Sequence, residues 1–183
     1  RGGTNTGFGT TAGGTYGSSN APTLAGSGGG GGYIGNGYQG QGGGVVLIEA
    51  RNNVVLNGII GVDGANGGTY WGGGSGGSIL IMTMNFAGTN TGVLSAQGAA
   101  RGGGYTQLGG GGGGRIAVWN KTDDAIRNRI YAGDLTRCSV VETFTTWLGV
   151  TNVNGGSGGE TGFPGTVVFL LGRPAPGTII FVK

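Results

Sequence analysis

The chain has no histidine, one cysteine, and charges on only 9% of its 183 residues. Without histidine it cannot assemble a Ser/His/Asp triad, a Cys/His dyad or a His-ligated metal site. With Cys138 alone it cannot form an intrachain disulfide, and the context LTRCSVVE reads as a strand edge carrying a packed thiol. No apolar block approaches the roughly 18 residues of a membrane span. The ten basic and seven acidic residues are scattered and leave a net charge of +3, so no run of like charge recruits nucleic acid or an anionic membrane. Isolated Arg-Gly-Gly triplets at 1–3 and 101–103 do not form an RNA-binding cluster. The chain opens at Arg1 with neither an initiator methionine nor a signal pattern, which reads as a mature or excised segment.

Acid–base chemistry would then fall to the carboxylates Glu49, Asp63, Asp123, Asp124, Asp134, Glu142 and Glu160. Asp123 and Asp124 are adjacent in NKTDDAIRN, a context that suits a helix N-terminus or a turn better than paired glycosidase carboxylates. The phosphate-loop pattern G-x-x-x-x-G-K-[ST] does not occur, and calcium nonapeptides would need aspartate where GGYIGNGYQGQGGG has asparagine and glutamine. The sequence therefore predicts no enzyme, no cofactor and no dedicated metal site.

What the chain does have is glycine, 51 residues of it, set in runs against dense apolar blocks. The arrangement repeats. GGVVLIEARNNVVLNGIIGVDGANGG at 43–68 superposes on GGSILIMTMNFAGTNTGVLSAQGAARGG at 76–103 with one residue inserted, placing Gly58 to Ala65 on Gly92 to Ala99. A third unit opens at GGRIAVW, 113–119, and its loop gives way to an insertion at 120–156. The period from Gly44 to Gly77 to Gly114 lies in the range of solenoids and stacked arrays. Each unit reads as a strand, a polar turn, a second shorter strand and a glycine run leading to the next level. TVVFLL at 166–171 and TIIFV at 178–182 read as terminal strands.

Near-continuous apolar runs suit strands covered on both faces. The abundant material for that cover is glycine, whose bare backbone can lie flat on a strand layer or pack against itself in a polyproline-II-like conformation. Ordering a glycine costs about 1–2 kcal/mol of backbone entropy, so such runs need a regular hydrogen-bonded return. The expected fold is a single all-β domain over 1–183, glycine-rich and β-solenoid-like or layered, with ordered polyglycine-II-like segments.

In order along the chain, GGTYGSSNAPTLAGSGGGGG at 13–32, the two units above and GGGGGGRIAVW at 109–119 resemble a recurring module of large secreted glycine-rich proteins of environmental bacteria and some protists. That module reads YGS, GSGGGG, GGSI, GTISAxGG and GGGGGGRIAI, and the resemblance covers roughly 13–119, with GTVVFL near the end a weaker match. It implies an extracellular or cell-surface, repetitive structural protein, and brings no catalytic motif. The departure is at 120–156, longer and poorer in glycine than the usual third loop.

Tyr33, Tyr38, Tyr70, Trp71 and Tyr105 lie in or beside glycine runs, where an aromatic ring can stack on bare backbone, contact a second subunit or carry a sugar. Trp119 and Trp147 flank the insertion and read as its small core. Stacked strands leave open edges at both ends, and the final strand Thr178, Ile179, Ile180, Phe181, Val182 is a candidate for pairing with a neighbouring copy. The insertion offers a subunit contact or a decorated outer face. Asn120-Lys121-Thr122 fits a glycosylation acceptor. The functional expectation is a non-enzymatic subunit that polymerises head to tail into an extracellular filament, sheath or matrix. The alternative is a surface or phage-tail adhesin that binds glycans or receptors through loops.

Overall fold

The computed structural model describes residues 2–3, 13–31, 38–104, 106–136, 138–141 and 144–173. Within them, the β-branched and aliphatic run Val45–Glu49 forms β1, and the polar corner after it turns the chain into β2 (Asn53–Val55) and then β3 (Ile59–Gly61). The second unit repeats this path as β4 (Ser78–Met82), β5 (Asn85–Ala87) and β6 (Val93–Ser95). Each full unit thus has three strands where the sequence suggests two, because a second corner at Leu56-Asn57-Gly58 divides the later apolar run.

The third unit begins with β7 (Arg115–Asn120) and leaves the pattern through Lys121, whose left-handed φ of 58° directs the chain outward. There follow the helix α1 (Asp124–Tyr131), β8 (Cys138–Val141), β9 (Val150–Asn152) and β10 (Thr166–Gly172). The protein is mostly strand with one helix among the described residues, and that helix is too short to cross a membrane.

The units stack strand on strand. β1, β4, β7 and β10 pair in parallel in that order, with β8 antiparallel at the far edge; β2 pairs with β5, and β3, β6 and β9 form the third sheet, all parallel. Val45 faces Ser78 and Ser78 faces Arg115, which is the Gly44, Gly77, Gly114 period made structural. Ile59 faces Val93, the register of the superposed sequences, and Val93 faces Val150, so the chain rejoins the repeat before residue 156.

The strand core corrects one expectation: glycine does not cover it. One face of the first sheet, with Ile79, Ile81, Ile116, Val118 and Phe169, packs on Phe86, Leu94, Phe144 and Trp147. The other face, with Leu80, Met82, Ala117, Trp119 and Leu170, is covered by Ile126 and Ile130 of α1. Trp119 and Trp147 therefore serve opposite faces of one sheet. The helix stands where it does because Asp123 caps it, accepting the Ile126 amide at 2.8 Å, and because Ile126 and Ile130 are one turn apart on its inner side.

Glycine instead packs on glycine. The segment 72–77 directs its amides in three directions in turn: Gly72 and Ser75 to Gly30 and Ser27, Gly73 and Gly76 to Gly109 and Gly112, Gly74 and Gly77 to Ala65 and Val62, at 2.8–3.1 Å. Carbonyls of the same segment accept from Gly40 and Gly43, from Gly3, and from Ala99. Six neighbouring stretches, at 2–3, 27–30, 40–43, 62–65, 96–102 and 109–112, thus surround it by backbone hydrogen bonds. A Cβ at Gly74 would collide with the Gln41 carbonyl, so this approach requires glycine.

Magnitudes say what holds the array. A net hydrogen bond of about 0.5–1.5 kcal/mol roughly offsets the entropy of ordering one glycine, about 1–2 kcal/mol. Each fully buried aliphatic side chain in the adjoining strands contributes about 1.5–3 kcal/mol. The strands carry the stability, and the glycine segments run into them in register.

Candidate functional site

Among the described residues β1, β2 and β3 each stand at an edge of their sheet, on the same side of the stack. Alternation along β1 leaves Val45 and Leu47 42% and 46% exposed, and Val55 and Ile59 at the edges of the other sheets are 63% and 74% exposed. Pleating sends every second side chain to the same face, so Val45 and Leu47 share by register the face of Ser78 and Leu80, but unlike Leu80 they stay in solvent. The unpaired amides and carbonyls along such edges are a template for another strand.

The opposite end differs between sheets. In the first sheet β8 runs antiparallel along β10, Leu170 facing Val140, so β10 is not an edge strand. In the third sheet β9 stays open, with Val150 56% exposed and Leu148 beside it 68% exposed. The column Ile59, Val93, Val150 therefore begins and ends on exposed apolar residues.

Of the aromatic candidates, Tyr33 and Tyr105 lie outside the described residues, as do Thr178, Ile179, Ile180, Phe181 and Val182. Tyr38 is 89% exposed, while its carbonyl is tied to the Gly68 amide at 2.7 Å. Tyr70 lies at the turn between glycine segments, its ring close to Gly104, which has φ +100°. Trp71 bridges to Gly31, and its ring lies so close on that residue that a Cβ there would overlap it. Packing on bare backbone is thus the role Trp71 plays, and its indole N–H is buried without a partner among the described residues.

Asn120 ends β7 with its Oδ1 accepting the amides of Phe86 at 3.2 Å and Lys121 at 3.1 Å. Thr122 of the same triplet is fully buried and donates its hydroxyl to the Thr83 carbonyl at 3.0 Å. The folded chain therefore holds this triplet in its own hydrogen bonds.

The carboxylates serve the fold. Asp63 Oδ1 accepts from Ser95 Oγ and the Gln97 amide, both at 2.6 Å, linking one unit to the next. Asn66 does the same for the Ala100 amide at 3.0 Å. Asp124 pairs with Arg127 at 2.7 Å and Arg51 at 3.5 Å, and Glu49 accepts from the Tyr131 hydroxyl. The Thr136 hydroxyl, first, and the Arg129 guanidinium hold Asp134 well below the usual carboxylate range. Among the described residues no three acidic or cysteine side chains cluster as metal ligands would.

Sequence reasoning missed Val45, Leu47, Val55 and Ile59. No family model matches this chain, and neither a curated protein nor a solved structure matches it.

Proposed function

We propose that this chain is a non-enzymatic structural protein, the self-assembling subunit of an extracellular filament, sheath or matrix. In this reading each unit is one turn of a short solenoid and the three sheets are its faces. The three-residue rotation of hydrogen bonds along 72–77 is the repeat of a polyglycine-II-like array, since the polyproline II helix has three residues per turn.

The observation that carries the reading is the open end itself. Three parallel edges stand side by side with Val45, Leu47, Val55 and Ile59 in solvent. A second copy placed head to tail would set β3 against β9 and continue the column that Val150 leaves open. It would also bury apolar surface at about 25 cal/mol per Å². Such a contact joins two different surfaces, does not close on itself, and so propagates.

Electron microscopy of the purified protein over a dilution series tests this. Filaments are expected in the wild type, and the double substitution Val55→Lys, Ile59→Lys is expected to remove them while leaving the melting of the subunit unchanged. Monomers at every concentration, or undiminished polymers in the double variant, would sink the proposal.

A further inference from the structure

Beside Gly76 the hydrogen-bond rotation that surrounds 72–77 changes among the described residues. The Gly73 carbonyl accepts from Gly3, but one period later the Gly76 carbonyl has no backbone donor among the described residues, and the amide of Gly112 beside it has no acceptor. At this point a cleft of about 100 Å³ opens, lined by the backbone of Gly76 and Gly113 and by Thr15, Tyr16, Leu24, Arg115, Pro164 and Thr166.

Arg115 is the cation of this cleft, and none of the ion pairs of Arg51, Arg127 and Arg129 with Asp124 and Asp134 involves it. Its register neighbours Ser78 and Thr166 are short and neutral. The guanidinium reaches the Gly17 turn, where an added Cβ would stand 3.8 Å from Nη1. Tyr16 forms the rim, half in solvent, its hydroxyl donating to the Ala25 carbonyl at 2.7 Å with Ser27 Oγ at 3.0 Å. Those bonds hold the hydroxyl in place while the residue stays 41% exposed.

We propose that this cleft binds the carboxylate-bearing sugar units of an acidic polysaccharide. A guanidinium fork matches a carboxylate with two parallel hydrogen bonds. The cleft volume equals about three water molecules at ~30 Å³ each, room for the carboxylate and the ring carbon bearing it. The pyranose then lies outward against the Tyr16 ring, whose apolar face suits sugar C–H groups. Thr15, Thr166 and the Gly76 carbonyl face its hydroxyls. An acidic peptide fits less well, since among the described residues the adjoining backbone offers an added strand one amide and one carbonyl where a paired strand needs a row of them. The site is complete within one subunit and does not depend on polymer formation.

The test is titration of the full chain with sodium glucuronate and with polygalacturonate, followed by NMR, with glucose, acetate and polyglutamate as comparisons. Binding of glucuronate with a Kd on the order of 1 mM is expected. Arg115→Gln should weaken it at least ~tenfold at an unchanged melting temperature, with Arg115→Lys between the two. No wild-type binding, equal binding by Arg115→Gln, acetate binding as well as glucuronate, or polyglutamate binding tighter than polygalacturonate would each overturn the proposal. Should Arg115→Gln fail to fold, the wild-type Arg115 Nε–H signal decides: its shift on glucuronate addition supports the site, and its constancy overturns it.

Discussion

Gly74 donates its amide to the Ala65 carbonyl at 3.0 Å, across two segments that run antiparallel and belong to successive units of the repeat. Its own carbonyl accepts from Ala99 at 2.9 Å. One residue without a side chain thus joins one unit to the next and, through its two bonds, links three extended segments.

Gly74→Ala should be severely destabilising, because the new methyl would overlap the Gln41 carbonyl and backbone cannot rotate away. A loss of about 3 kcal/mol or more is expected, at the upper end of overpacking effects. Gly58→Ala meets open space at an ordinary φ and should change stability by no more than about 1 kcal/mol, in the stabilising direction. Urea denaturation of the two variants checks the contrast, and equal effects would show that the array tolerates side chains.

Trp119→Phe tests how the N-terminal stretch is held. The indole Nε1 donates to the Asn20 carbonyl at 2.7 Å, a link across 99 residues, and the ring is 1% exposed. The substitution removes that bond and part of the packing, at a cost of about 1–3 kcal/mol. Limited proteolysis should show faster cleavage near residues 13–25 than in the wild type.

Trp147→Ala should cost about 3–5 kcal/mol, the range for deleting a large buried aromatic. The ring stacks on Phe86 at 5.0 Å between centroids and lies beneath Gly88 and Gly92, so it fastens the returning insertion to the second unit. Thermal unfolding measures the loss, and near-ultraviolet circular dichroism reports the neighbouring aromatic environment.

Asp134 gives the stability a defined acid limb. Its folded pKa lies below the usual 3.8, owing to the Thr136 hydroxyl and the Arg129 guanidinium. The folded state therefore binds its proton less readily than the unfolded state, and the contribution is present above about pH 4 and is lost as pH falls further. The carboxylate is exposed, so solvent screening keeps the effect small. Denaturation midpoints of wild type and Asp134→Asn should differ by a constant amount above pH 5 and converge below pH 4.

The amino-acid sequence alone determined the repeat and its register, but not the corner at Leu56-Asn57-Gly58 that gives each unit a third strand. Backbone pairing follows periodicity, so Gly44, Gly77 and Gly114 could be aligned by eye and Val45, Ser78 and Arg115 then fell opposite one another. The N-terminal turn at Asp123 was equally legible, since capping is local. Only the tertiary structure decided what covers the strands and where the ends lie. That α1 lies over Leu80 and Met82 while glycine packs on glycine depends on contacts between residues far apart in the chain. No local pattern encodes them. Arg115 shows the same limit: its sequence neighbours are ordinary, and only folding sets it in a cleft with Tyr16, 99 residues upstream. Side-chain alternation and backbone hydrogen bonding are short-range and can be read from spacing. Which faces meet is a property of the assembled layers.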